Sequence, residues 1–189
     1  MRAIVPIPEF SIPLGGEQLK ELGLFCVVWS QIDTLITLLL VHFSRADMAA
    51  IEVMTGQATT APRVNMLRKL AKRNPQSPAA VRIVALCEEM GGLLEDRNHL
   101  MHGLWAIHWA DNGDTEAASD FNKRRDQPIF ASRLPTLTDK AARFSSELGL
   151  CHRVLVPDPP GTAGPPRSVF FGKGDPAKKK PAKPLPILP

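Results

Sequence analysis

Arg97, Asn98, His99 and His102 bring a cation, an amide and two imidazoles into six consecutive positions. Histidine is the side chain whose ordinary pKa lets it take or give a proton near neutral pH. Arginine is a permanent cation whose planar fork of donors matches the oxygens of a phosphate or a carboxylate. Together they can serve, without a metal, a step in which an attacking hydroxyl loses its proton while negative charge grows on phosphoryl oxygens. Asn98 lies four residues before His102 and so on the same helix face. Arg97 and His102 are five apart, which turns them roughly 140° from each other around an ideal helix. They converge only if the helix end unwinds, if the long arginine reaches round, or if two copies of the chain combine their sets. Nothing in the sequence points to a metal or a cofactor. His99-x-x-His102 has no cysteine near it, and neither His-Glu-x-x-His nor a glycine-rich loop ending in Gly-Lys-Ser/Thr occurs.

The run Arg97-Asn98-x-x-x-His102-Gly103, placed at the end of a long amphipathic helix, resembles the signature of the HEPN (higher eukaryotes and prokaryotes nucleotide-binding) domains. The resemblance implies a helical bundle, usually dimeric, over about residues 17–155. It also implies a metal-independent endoribonuclease of the toxin or phage-defence kind, in which a 2′-hydroxyl attacks the adjacent phosphate. On that basis His102 is the expected base, Arg97 the phosphate clamp and Asn98 the polar neighbour, with RNA as substrate and an antitoxin or other protein as partner. The alternative is a non-catalytic bundle of the same family that binds RNA or a partner protein. Members paired with nucleotidyltransferases carry a modified tyrosine two residues after the histidine. Leu104 stands there and the chain has no tyrosine, which excludes that mode.

The elements that must carry these residues are helices. From about Glu17 to Phe43, the residues Leu22, Phe25, Trp29, Ile32, Ile36, Leu39 and Phe43 recur at steps of three and four, the repeat of a helix packed lengthwise on others. Leu24, Val28, Leu35 and Leu38 widen that face, and Ser30, Asp33 and Thr37 form a narrow polar stripe. A short helix over about 46–54 and another over 61–73 follow. The latter turns Val64, Leu67, Leu70 and Ala71 inward and Arg63, Arg68, Lys69, Lys72 and Arg73 outward, as a solvated face or a phosphate contact. Ser77-Pro78 then suits an N-cap and first helical position. The helix from Pro78 to about His102 is expected to bury Ile83, Cys87, Met90, Leu94 and Met101, which places Arg97 on the buried stripe. An arginine there is costly unless it is paired or faces a cavity, so it is either a site residue or half of an ion pair with Asp33, Glu88 or another bundle acid. His99 is expected to be solvated or to support the site. Gly91-Gly92, costly in mid-helix, implies a kink or a close helix contact. Gly103 stops the helix.

Leu104–Trp109 alternates, Asp111-Asn112-Gly113-Asp114 suits a turn, and 115–121 can pair back as a hairpin. Residues 122–127 read as a charged surface loop. A last helix over about 137–155, capped by Thr136, turns Leu137, Ala141, Phe144, Leu148, Cys151 and Leu155 inward. The expectation is an all-α fold: a four-helix-type, HEPN-like bundle over 17–156 with a small β-hairpin after the motif. An extended arm (1–16) precedes it, and a disordered Pro/Lys-rich C-terminal tail (157–189) follows.

Charge is distributed unevenly. Of a formal net charge of +4, the segment 157–189 holds six basic against two acidic residues, which leaves 17 of each sign before it. Its ten prolines and lysine run cannot bury enough apolar surface to fold, and it serves as a solubilising tail or a basic tether. With aromatics at 6%, a stacking platform for bases is not expected. Cys26, Cys87 and Cys151 form no Cys-x-x-Cys pair and suit buried thiols of a cytoplasmic protein. No signal peptide is apparent. The apolar run Leu24–Phe43 contains Asp33, which at mid-membrane costs about 2.5–3.5 kcal/mol, so a buried bundle helix is expected and no membrane partner.

Overall fold

The computed structural model describes residues 13–56, 58–109, 114–120 and 128–157. The first twelve residues of the arm, the turn at 111–113, the loop at 122–127 and the tail from 158 lie outside the described residues. The chain divides after Pro157 into two units, and only the first is described.

The fold is mostly helical with a small antiparallel sheet. In order come α1 (Gly16–Ser44), α2 (Met48–Thr55), α3 (Thr60–Ala71), α4 (Pro78–His102), β1 (Leu104–Trp109), β2 (Thr115–Asp120), β3 (Ile129–Phe130) and α5 (Leu134–Leu155). α1 packs on α5 and α3, and α4 packs on the same two helices. The core between them holds Phe25, Ile32, Ile36 and Leu39 of α1, Leu67 of α3, Ile83, Met90 and Leu93 of α4, and Phe144 and Leu148 of α5. Among the described residues, α1 alone is long and apolar enough to cross a membrane. Its stripe residues from Phe25 to Leu39 are covered by the other helices.

Local chemistry starts and stops these helices. The Gln18 side chain accepts from the Gly15 amide at 2.8 Å and ties down the entry to α1. Asp47 caps α2 by accepting from the Ala50 amide at 2.7 Å, and Ser77 caps α4 by accepting from Ala80 at 3.3 Å. Gly103 ends α4 in an extended conformation (φ −73°, ψ 153°) rather than a left-handed one, which leads straight into β1. The expected cap of α5 at Thr136 is not used. The helix begins earlier, at Leu134, with Pro135 in the first turn, where its missing N–H is no loss. Arg82 of α4 donates to Glu147 of α5, and Arg143 joins the same pair of acids, Glu89 and Glu147.

The expected hairpin is present but belongs to a three-stranded sheet. β1 and β2 pair in register from Leu104↔Asp120 to Trp109↔Thr115, and the two-residue β3 adds to β2 through Ser119↔Ile129. The sheet is fastened to the end of α4. Ser119 Oγ donates to the His99 carbonyl at 2.6 Å, and Trp105 Nε1 donates to the Leu100 carbonyl at 3.4 Å.

Two expectations for α4 fail. Its buried stripe runs Ile83, Leu86, Met90, Leu93, Leu100, so beyond Met90 it has moved off Leu94 and Met101. The end of α4 instead buries Leu93, Asp96, His99 and Leu100, on the turns to which Trp105 and Ser119 fasten the sheet. Met101 is 40% exposed, and Arg97 is half-buried beside the stripe rather than on it. Gly91 and Gly92 are exposed, with nothing within 4 Å of where a Cβ would stand, so no close helix contact explains them.

Candidate functional site

The last turn of α4 holds Arg97, Asn98 and His102 together. Arg97 Nη1 lies 3.0 Å from Asn98 Oδ1 and 3.1 Å from His102 Nε2. A guanidinium has only donors, so this contact is a hydrogen bond when Nε2 is the acceptor and the ring proton is on Nδ1. α4 stays helical through His102, so the arginine's length, and not unwinding, closes the 140° gap. His102 and Asn98 are exposed. His99 is not solvated: it is 3% exposed, beneath the sheet that Ser119 anchors to its carbonyl.

Among the described residues Arg97 does not take the role of an ion-pair half. No carboxylate among the described residues lies within 4.0 Å of its guanidinium. The two candidate acids are committed elsewhere: Asp33 to Arg63 at 3.7 Å, and Glu88 to Lys72 at 3.3 Å and Arg68 at 4.0 Å. Instead the Arg97 guanidinium stands over the Trp29 ring, 5.9 Å from its centroid, a cation–π contact.

Beyond Trp29 opens a groove of about 390 Å³ between α1, α3 and the end of α4. The polar stripe of α1 forms one wall with Ser30, Asp33, Thr34 and Thr37; Arg63 faces it from α3; Arg97 and Met101 close it from α4. His102 is not among the lining residues, and it borders the groove only through its bond to Arg97. Arg63 donates to the Asp33 carbonyl at 2.9 Å and closely to Thr37 Oγ1. Thr60 Oγ1 donates to Asp33 Oδ1 at 2.9 Å and completes the latch between α1 and α3. Cys26 lies on the groove with its thiol 3.4 Å from the Met101 sulfur. Burial pushes that thiol up, and the Arg97 charge offsets a part.

Arg63 is the site residue that sequence reasoning placed on an outward basic face, as a solvated residue or a phosphate contact. Its side chain is only 18% exposed and turned toward α1. The signal was the polar stripe at Ser30, Asp33 and Thr37, which needs a polar partner across the bundle. Arg68 and Lys72 of the same helix are paired with Glu88, while Lys69 and Arg73 remain on the outer surface. Among the described residues no group of three or more His, Cys, Asp or Glu side chains is placed to hold a metal ion.

No protein-family model matches this chain, and neither a curated protein nor a solved structure matches it.

Proposed function

We propose that this protein is a HEPN-like, metal-independent endoribonuclease of the toxin or defence kind. The observation that carries the reading is the 3.1 Å contact between Arg97 Nη1 and His102 Nε2 within one chain, beside a polar groove. It brings a candidate base and a fixed cation together at one helix end, which supports that reading. In the resting protein the arginine's donor occupies the base. A phosphate oxygen is a stronger acceptor for a guanidinium than a neutral ring nitrogen, so bound RNA draws Arg97 onto the phosphate and frees Nε2. Nε2 then takes the proton of the ribose 2′-hydroxyl, whose oxygen attacks phosphorus. Arg97 neutralises the charge that builds on the phosphoryl oxygens, and the 5′-oxygen departs, taking a proton from solvent water, which leaves a 2′,3′-cyclic phosphate and a 5′-hydroxyl. Asn98 holds the guanidinium in register through Oδ1.

The exposed apolar side chains of Val27 and Met101, close to the site, support a homodimer that brings two such pairs together. A cytoplasmic location belongs to the same reading, in keeping with three free cysteines. A second reading, a non-catalytic bundle that binds a protein partner, is favoured by Leu104, Ile107 and Trp109. These stand exposed on β1, an edge strand of the sheet. Expression of the full chain and of His102→Ala in a bacterial host separates the two. The nuclease arrests growth, the variant does not, and the purified parent cleaves single-stranded RNA in the presence of a chelator. A parent that neither arrests growth nor cleaves RNA leaves the binding bundle as the function.

A further inference from the structure

We infer that the groove beside Arg97 is a second anion seat, built by Arg63 and Arg97 against Trp29, which holds the phosphate next to the one that is cleaved. The identity of that ligand as RNA rests on the ribonuclease reading; the seat itself rests on unmatched donors. Trp29 Nε1, Arg63 Nε and Arg97 Nε are all buried, and none finds an acceptor among the described residues. All three belong to residues that line this one groove. Buried donors are almost always matched, because an unmatched one forfeits its hydration, so three such donors in the residues around one groove favour an acceptor-rich ligand there, reached by a small turn of these side chains. Trp29 is itself only 4% exposed.

The arginines are arranged for such an occupant. Arg97 spends Nη1 on Asn98 and His102, which leaves the edge formed by Nε and Nη2 without a hydrogen bond among the described residues. That edge is the one that grips two oxygens of a phosphate side-on. Arg63 spends Nη2 on the Asp33 carbonyl and on Thr37, and is thereby fixed in place while its Nε stays unmatched. Two arginines against one carboxylate, Asp33, leave the groove walls with a surplus of positive charge. A space of about 390 Å³ takes on the order of one nucleotide and excludes a duplex. The exposed hydroxyls of Ser30 and Thr34 lie on the same wall, available to a ribose. The occupant is therefore a single-stranded segment with a phosphate on either side of one ribose.

Two substitutions test this in the full chain. Arg63→Gln removes the charge but also cuts the latch to Asp33 and Thr37. Ser30→Glu sets a carboxylate on the groove wall from an exposed position and leaves the core untouched. Binding of inorganic phosphate is followed by calorimetry, and binding of a short oligouridylate by anisotropy in a His102→Ala background that prevents turnover. Each substitution should weaken both ligands at least tenfold, and phosphate should compete with the oligomer. In steady-state cleavage each should raise KM tenfold or more with little change in kcat. If phosphate binds, is lost in both variants, and the parent cleaves no RNA, the seat stands and the ribonuclease reading falls. If the parent cleaves RNA and both variants keep its KM and its phosphate affinity, the seat is wrong and the ribonuclease reading stands. Binding of neither phosphate nor oligomer by the parent also overturns the seat.

Discussion

Removing the charge of Arg97 should cost almost no stability. Its guanidinium makes three favourable contacts: the stack over Trp29 at 5.9 Å and bonds to the exposed Asn98 and His102 at 3.0 and 3.1 Å. The first is worth about 0.5–2 kcal/mol and each exposed bond about 0.5–1.5 kcal/mol. Against them stands a buried Nε with no acceptor among the described residues, a deficit of about 1–3 kcal/mol. The two sides offset, and no carboxylate among the described residues is stranded when the charge goes. Arg97→Met, which keeps the stem over Trp29, should therefore unfold within about 1 kcal/mol of the parent, a Tm shift of no more than about 2–4 °C for a chain of this size. The same change should lower RNA cleavage about 10²–10³-fold, the usual cost of one donor lost from the developing charge. Urea denaturation followed by circular dichroism gives the first number and a fluorescent RNA gives the second. A loss of about 3–5 kcal/mol, the mark of a broken buried ion pair, would refute the argument, because it requires an acid partner that the geometry denies.

Two further outcomes follow from the same geometry. Gly91→Ala and Gly92→Ala should each stabilise α4 by about 0.5–1 kcal/mol, because a Cβ meets nothing within 4 Å at either position; a lower urea midpoint in either variant would reveal a contact made outside the single chain. Burial pushes the Cys87 thiol from 9.0 up to about 12. Between those values the folded state holds a proton that the unfolded chain has lost, so stability is whole below pH 9 and declines as pH rises. Cys87 alone should remove about 1.4 kcal/mol by pH 10. Cys87→Ala should shallow the decline between urea midpoints at pH 8 and pH 10, and an unchanged slope would contradict the assigned burial effect.

What could be read in advance was what neighbouring residues decide among themselves. Ser77-Pro78 opens α4 because a cap and a first-turn proline act within three residues. The stripe of α1 from Phe25 to Leu39 is inward because one long helix on several neighbours needs a broad apolar face. The phase of a stripe over a whole helix was less legible. A seven-residue count keeps Leu94, Arg97 and Met101 inward, whereas the sheet fastened to the end of α4 goes with burial of Leu93, His99 and Leu100 instead. Long-range pairing was not legible at all. Asp33 and Arg63 were each visible as polar residues, but nothing local links positions on two helices that face each other only after the bundle closes. β3, two residues long, has no alternation to detect. Arg97, Asn98 and His102 stood out because their whole constellation fits in a turn and a half of one helix.

The pairing of α1 with α5 has a consequence for how the chain is made. It is the most extensive helix contact in the fold, with Ser145 Oγ 3.4 Å from Gln31 Oε1 and Leu35 beside Gly149. Yet α1 leaves the ribosome first among these helices and α5 last, with residues 45–133 between them. Synthesis proceeds at about 5–20 residues per second, so α1 waits on the order of ten seconds for its partner. A helix forms within about a microsecond, so for nearly all of that interval α1 is formed but uncovered along its α5 side. Its most apolar 18 residues have a mean hydropathy of 2.0, which makes the nascent chain sticky until Leu155 has emerged. The yield of folded protein thus depends on how α1 is sheltered during those seconds, by α3 and α4 as they arrive or by a chaperone.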